Sequence, residues 1–501
     1  MPSLLAMFDA LIRRAIRDWR HGGAVAWMPR VALALLVAGA GLIIARFPLS
    51  WAFLLVVGSI AAVTVLLQPM WGVYLLALAI PFGSVREIPL AGINIGVVDV
   101  LSWFVVAVWL AQMVAKREIR LFRPPLLIPL LIFVGAQLLS LLVTTSLMLS
   151  LKEIAKWLEV IAIYLFIAHC GDARSAQRLW IALLLAGSAE ALLGIYQFLA
   201  GVGPPGFLLF GRFMRAYGTF RQPNPYAGYL GLSLPLAVGP LLVGWPQLLA
   251  GLRHRDWRHV LPGALAVVAL GLMGLALLMS WSRGGWLGAA VAFAAMLLSG
   301  RRGAVLGLSF VVLVALFLVL GGLGVLPPAL LQRVSTALPY ASNIDLRTVE
   351  INDDNWALIE RMAHWQAGWR IFAAHPWLGV GMGNYAVVYP RYALPRWQDP
   401  LGHAHNYHLN IMAEAGLVGL GAYIIFWLAA FGWVVGALRR TAGVARGIPV
   451  AALGVLVHLN VHNAFDNLFV QGMTLQLALV FGLLYLASRG ERATDATMGE
   501  V

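Results

Sequence analysis

The chain has 501 residues, 61% of them hydrophobic and only 11% charged, against roughly 25% charged in a soluble domain. Too few charged side chains remain to coat a soluble globule, which excludes a soluble enzyme, a nucleic-acid-binding module and a disordered scaffold. The formal charge of +14 is a bias that membrane proteins place first in their cytoplasmic loops.

The fold class expected is an all-α polytopic integral membrane protein. The single cysteine, Cys170, leaves no internal disulfide and no Cys-based metal site. At the start, Leu4, Phe8, Leu11, Ile12, Ala15, Ile16 and Trp19 recur at helical spacing, with Asp9, Arg13, Arg14, Arg17 and Arg20 between them. That pattern predicts an amphipathic helix on an anionic leaflet. No cleavable signal peptide is read there, because the first long apolar run begins near Val31.

Apolar runs of spanning length occupy 31–47, 51–67, 71–82, 96–115, 126–146, 154–170, 177–200, 225–245, 260–280, 284–299 and 303–323. After a polar gap come 407–436, 449–466 and 469–488. Because 71–82 is short and some neighbours are nearly fused, about twelve spans (roughly 12–14) are expected. The organisation read from this is a cytoplasmic amphipathic segment 1–30, an N-terminal bundle 31–324, a large periplasmic loop 325–404, C-terminal helices 405–488 and a cytoplasmic tail 489–501.

Arginine and lysine position sets the orientation. Walking the spans puts the basic clusters at 13–30, 116–123, 174–178, 253–258, 301–302 and 439–440 on one side, the cytoplasm. Both termini are then cytoplasmic. The loop 325–404 falls on the outer side and balances six arginines with six acidic residues. Within it, Asn355 is expected to cap a helix with Trp356, Ile359, Met362, Trp369 and Phe372 on one side. His375-Pro376 ends that helix, and Gly379, Gly381 and Gly383 follow as a flexible turn. With no strand before it and no P-loop lysine after it, this turn is not a nucleotide loop.

Three outer features carry chemistry. The segment 211–226 places Arg212, Arg215 and Arg221 where positive charge is normally depleted, with Asn224 close behind. The turn Ser280-Trp-Ser-Arg-Gly-Gly-Trp286 sets Arg283 at the membrane boundary. His403-Ala-His-Asn-Tyr-His408 ends the large loop where the next span begins. A guanidinium fork matches phosphate oxygens two at a time, so such arginines suit a diphosphate whose lipid tail stays in the bilayer. The plainer reading of each arginine alone is that it snorkels to headgroups or pairs with loop acids.

The histidines allow three readings: a zinc site from His403, His405 and His408 with Asp399 near, a structural helix cap, or a general base. Lys152, Lys156 and Glu159 share one helical face, Glu190 lies mid-span, and His462 and Asp466 sit one turn apart. Buried ionisable groups of this kind also keep an ion- or proton-coupled transporter open, although no pair of broken helices recurs in matching halves.

The order Arg-x-x-Gly-Thr-Phe…Pro-Asn-Pro-Tyr-Ala (215–227), Ser-Arg-Gly-Gly (282–285), His-Pro-Trp-Leu-Gly-Val-Gly-x-Gly-Asn-Tyr (375–385) and His-Asn-x-x-Leu-Asn…Glu-Ala-Gly (405–416) resembles the O-antigen ligase family. The same superfamily includes O-antigen polymerases and protein O-oligosaccharyltransferases. The resemblance implies an inverting glycosyltransferase of the bacterial inner membrane, acting at the periplasmic face without metal or other cofactor. It implies a glycan donor on undecaprenyl diphosphate, a lipid A–core acceptor, membrane lipids as surroundings and no nucleic acid. The family's essential residues map onto Arg215, Arg283 and, as general base, His405. Weaker substrate-binding assignments fall on Arg212, Arg221, Asn224, Arg361, Asn406, Lys152 and Lys156.

Overall fold

The computed structural model describes Gly39, Gly41 and residues 49–498, apart from 84, 86, 91–92, 118–122, 353–354 and most of 301–344. The expected amphipathic segment 1–30, the span 31–47 except for those two glycines and most of the span 303–323 therefore lie outside the described residues. The described residues fall into two compact units, divided between Gln68 and Pro69. In the first, the uncharged run Leu49–Leu67 is helix α1.

The second unit is built of helices α2 (Met70–Ala79), α3 (Val97–Ala115), α4 (Leu127–Leu139), α5 (Leu147–Cys170), α6 (Ala173–Ala200), α7 (Pro223–His254), α8 (Trp257–Met279) and α9 (Arg283–Leu298). After 345 come α10 (Trp356–Ala374), the short α11 (Tyr385–Val388), α12 (Tyr407–Arg440), α13 (Gly447–Asn463) and α14 (Met473–Met498). Two antiparallel hairpins depart from the all-α expectation: β1 (Glu87–Leu90) with β2 (Ile93–Gly96), and β3 (Leu208–Leu209) with β4 (Phe213–Met214).

Among the described residues, six helices are long and apolar enough to cross a membrane: α3, α6, α7, α8, α12 and α13. Five more apolar helices are shorter, so a count of about twelve depends on how many of these also cross. The protein is an α-helical membrane protein. Several helix starts are fixed by side-chain caps. Asp172 accepts the Ser175 N–H at 2.7 Å ahead of α6, and Asn406 accepts the Leu409 N–H at 3.0 Å ahead of α12.

Helix α7 packs against α8 and α13, α13 against α9, and α5 against α14. Aromatic rings join α4, α5 and α12: Phe133 lies 4.8 Å from Trp157 and 6.1 Å from Phe426, centroid to centroid.

The helix predicted after Asn355 is α10, but its buried side differs from the expected one. Ile359, Ala363, Ala367 and Ile371 face inward, whereas Trp356 is 50% and Trp369 57% exposed. Asn355 occupies the cap position, yet its carboxamide turns backward, accepting the Asn352 N–H at 2.9 Å.

The glycine turn expected to be flexible is instead hydrogen-bonded into a break in α12. At Gly416 the backbone leaves the helix, with φ 61° and ψ −157°. The freed N–H groups of Leu417 and Val418 donate to the carbonyls of Pro376 (2.8 Å) and Trp377 (3.2 Å). The carbonyls of Ala413 and Glu414 accept from Val380 (3.1 Å) and Gly381 (2.9 Å). Orphaned backbone groups inside a membrane protein need such partners. A Cβ at Gly416 would lie 2.4 Å from the Trp377 backbone, so only glycine fits there. The His-Pro-Trp-Leu-Gly-Val-Gly motif is thus a splice that joins the loop to the helix.

Candidate active site

The first element of the site is the stretch after α6. The β3–β4 hairpin turns through Phe210 and Gly211, both at positive φ. Beyond it, the carboxamide of Gln197 accepts from the N–H groups of Tyr217 (3.2 Å) and Gly218 (2.7 Å). Glu190, also on α6, accepts the Thr219 N–H at 2.7 Å. Gly218 has φ 54°, and a Cβ there would meet Glu190 Oε1 at 1.8 Å. These contacts explain why the motif reads Gly-Thr, and they engage Glu190 in holding a loop.

The same loop aims Arg215. Its Nε donates to the Ser280 carbonyl at 2.9 Å and its terminal nitrogen to Asn224 Oδ1 at 3.1 Å. Asn224 Oδ1 also accepts from the Ser282 hydroxyl at 3.0 Å, and Ser282 caps α9 immediately before Arg283. One carboxamide therefore ties the first arginine motif to the second. Trp281, at φ 52°, turns its carbonyl toward Arg333, which donates to it from Nε (3.2 Å) and a terminal nitrogen (3.1 Å). Arg361 on α10 donates to the carbonyls of Ala357 (2.8 Å) and Phe465 (3.2 Å).

These four arginines line one cavity of about 410 Å³, together with Asn224, Ser282, His462 and Asp466. Burial holds the Arg215 guanidinium well below its ordinary range, and repulsion from Arg333, Arg361 and Arg283 adds to it. Arg333 is pushed down to about 10 by burial and then by Arg283 and Arg361. Gathering like charges out of water is costly, and a polyanion among them would offset that cost.

His405 does not line this cavity but borders it through Asp466. Its Nδ1 lies 3.7 Å from Asp466 Oδ1, just beyond hydrogen-bond length, and His403 Nε2 lies 3.9 Å from the same oxygen. Both ring nitrogens of His405 are buried without a hydrogen-bond partner in the protein. The backbone is held firmly, at φ 50°, with the His405 carbonyl accepting from Trp365 Nε1 (3.2 Å) and its N–H donating to His403 Nδ1 (3.0 Å). Burial alone would raise the Asp466 carboxyl. His405, His403 and Arg361 beside it instead hold it well below the usual carboxylate range. His403 is lowered to about 4, chiefly by burial, with Asp466 opposing and His405 and Arg361 adding. His364, whose ring lies 5.5 Å from that of His405, is lowered to about 4 by burial and by His405 and His403.

The zinc set that the sequence allowed as one of three readings does not assemble. His408 bonds the Asn460 carbonyl (3.0 Å) and the Tyr423 hydroxyl (3.1 Å). Its place beside His403 and His405 is taken by Asp466, the three ligand atoms lying within 4.8 Å of one another. Those three could take an ion, but the neighbouring arginines repel a cation.

Of the other expected contacts, Asn406 is a helix cap. Arg212 lies over the Phe213 ring at 5.3 Å, and neither it nor Arg221 lines the cavity. Lys152 and Lys156 belong to a separate cavity of about 220 Å³ with Asp99, Glu159 and Gln471. Lys156 pairs with Glu153 at 2.6 Å. Sequence reasoning missed Arg333, one arginine among six in a long loop. It noted Asp466 only among the buried ionisable groups that keep a transporter open, although a carboxylate closing a span also suits a partner for histidine.

Residues 268–424 match the family model described as O-antigen ligase. That stretch is similar to the O-antigen ligase family. The match takes in Arg283, Arg333, Arg361 and His405, and leaves Arg215 and Asp466 outside its bounds. No curated protein matches the chain.

Proposed function

We propose that the protein is an O-antigen ligase. In this reading it is a metal-independent inverting glycosyltransferase that moves a glycan from undecaprenyl diphosphate to a sugar hydroxyl of lipid A–core, at the periplasmic face of the inner membrane. The observation that carries the reading is the convergence of Arg215, Arg283, Arg333 and Arg361 on one cavity with Asp466 and, behind it, His405.

The donor's anomeric carbon–oxygen bond breaks toward the diphosphate. The guanidinium groups of Arg215, Arg333 and Arg361, fixed by carbonyl and carboxamide partners, receive the developing charge without reorganising. The acceptor hydroxyl attacks from the opposite side and gives its proton to His405. Asp466 stabilises the resulting imidazolium and is itself too weak a base to compete. A donor of this kind also needs room for a lipid tail. An apolar cavity of about 700 Å³, lined by Leu234, Leu241 and Trp245 of α7, Leu270 of α8 and Phe293 of α9, supports that part of the reading. The buried groups that kept a transporter open are partly accounted for: Glu190 anchors the 217–219 loop.

The test is transfer by purified protein in detergent, with chelator and no membrane potential, from undecaprenyl-diphosphate glycan to lipid A–core. Ligated lipid A–core supports the reading. Chain extension of the donor alone would make it a polymerase, glycosylated protein an oligosaccharyltransferase, and no covalent product a transporter.

A further inference from the structure

The charge of the arginine cavity exceeds what the donor needs. Its described lining side chains include four guanidinium groups, Arg215, Arg283, Arg333 and Arg361, against one carboxylate, Asp466. That is a formal excess of three positive charges. Arg215 is held by the Ser280 carbonyl, Arg333 by that of Trp281, and Arg361 by those of Ala357 and Phe465. They cannot swing away when the ligand changes.

A glycan-loaded polyprenyl diphosphate is a diester with one ionised oxygen on each phosphorus, about −2 in total. In transfer the bond from the anomeric carbon to the phosphate oxygen breaks, and the electron pair stays on that oxygen. The new bond joins the anomeric carbon to the acceptor oxygen, whose proton passes to His405. The carrier is left with a terminal phosphate whose second ionisation falls near pH 6, so it bears close to −3 at neutral pH. Fixed charges that stabilise the transition state by meeting charge as it develops keep meeting it in the product.

Resting on the proposed function, we infer that this cavity binds the spent carrier, free polyprenyl diphosphate, more tightly than the glycan-loaded donor. Release of that product then limits repeated turnover, and accumulated carrier inhibits the enzyme. The reaction that must follow is hydrolysis of the carrier's terminal phosphate, which removes the charge the cavity holds.

The test compares binding of undecaprenyl diphosphate and of undecaprenyl diphospho-N-acetylglucosamine to the purified full-length protein in detergent. At pH 7.5 the free diphosphate should bind about tenfold tighter or more, the scale of one added charge-assisted contact. The ratio should shrink toward one at pH 5.5, as the terminal phosphate takes up a proton. Arg333→Gln should shrink it at pH 7.5. Equal affinities at pH 7.5, or a ratio that does not move with pH in the wild-type protein, would overturn the inference while leaving a diphosphate site intact. Failure of both lipids to bind would overturn it together with the proposed function.

Discussion

His405 and Asp466 approach to 3.7 Å, although one lies just ahead of α12 and the other just past the end of α13. The two ends are stitched by the backbone, with the Tyr407 N–H donating to the Asp466 carbonyl at 3.2 Å. A carboxylate so placed orients an imidazole and stabilises its protonated form. Asp466→Asn keeps the size and removes the charge. Transfer should fall about 10- to 100-fold, the worth of one charge-assisted contact, and the loss should appear in kcat more than in KM. Steady-state kinetics on the variant check this; a loss confined to KM would place Asp466 in donor binding instead.

Arg215→Ala and Arg283→Ala should each lower transfer by at least about tenfold, with folded protein still recovered from the membrane. Lysine at either position should restore little, because it keeps the charge and loses the fork. Asn224→Ala should cost transfer too, since its carboxamide holds Arg215 and Ser282 at once. Near-normal transfer in both lysine variants would refute two-point recognition of the phosphates.

Gly218→Ala should disorder the arginine loop. The new methyl would have to displace Glu190 Oε1 and occupy φ 54°, a combined cost of roughly 1–3 kcal/mol or more. Thermal unfolding in detergent should show a lower Tm, and transfer should fall with it. Wild-type behaviour would mean that Glu190 is free to move and does not fix the loop.

Much of this architecture was legible beforehand, and the exceptions have physical causes. Uncharged runs and their basic flanks located the helices because lipid imposes a length and a composition on each span. Arg215 and Arg283 were singled out by type and position and Arg361 by the family resemblance, and the fold brings these scattered residues together. Their clustering with Arg333 was not readable, since nothing local distinguishes that arginine. That Lys152 and Lys156 line a separate cavity was not readable either, because helical spacing gives a shared face and not what the face meets. The buried side of α10 was misjudged for a similar reason. Trp356 and Trp369 look like core residues by hydrophobicity, yet small side chains, Ala363 and Ala367, allow the close packing there. The glycines of 379–383 suggested mobility, while their role is to admit backbone pairing across the break at Gly416.

Acidification should loosen the site. His364 and His403 titrate near 4 in the folded protein against 6.5 for the free imidazole. Between those values the unfolded chain binds protons that the folded one does not. Their contribution to stability is therefore complete above about pH 6.5 and is lost as pH falls toward 4. Tm in detergent should be several degrees lower at pH 5 than at pH 7.5, and His403→Asn should flatten the slope. A Tm that is level across this range would show that neither imidazole is buried as described.

The most direct measurement is single-turnover transfer by His405→Ala, made alongside its affinity for the lipid-linked donor. Removing a positioned base costs about 10²–10⁴-fold in rate, whereas in the proposed function the diphosphate contacts come from arginines elsewhere. The variant should bind donor as the wild type does and transfer almost nothing, while His403→Ala and His408→Ala remain largely active. Wild-type turnover by His405→Ala would contradict the assignment and move the search for the base to another residue.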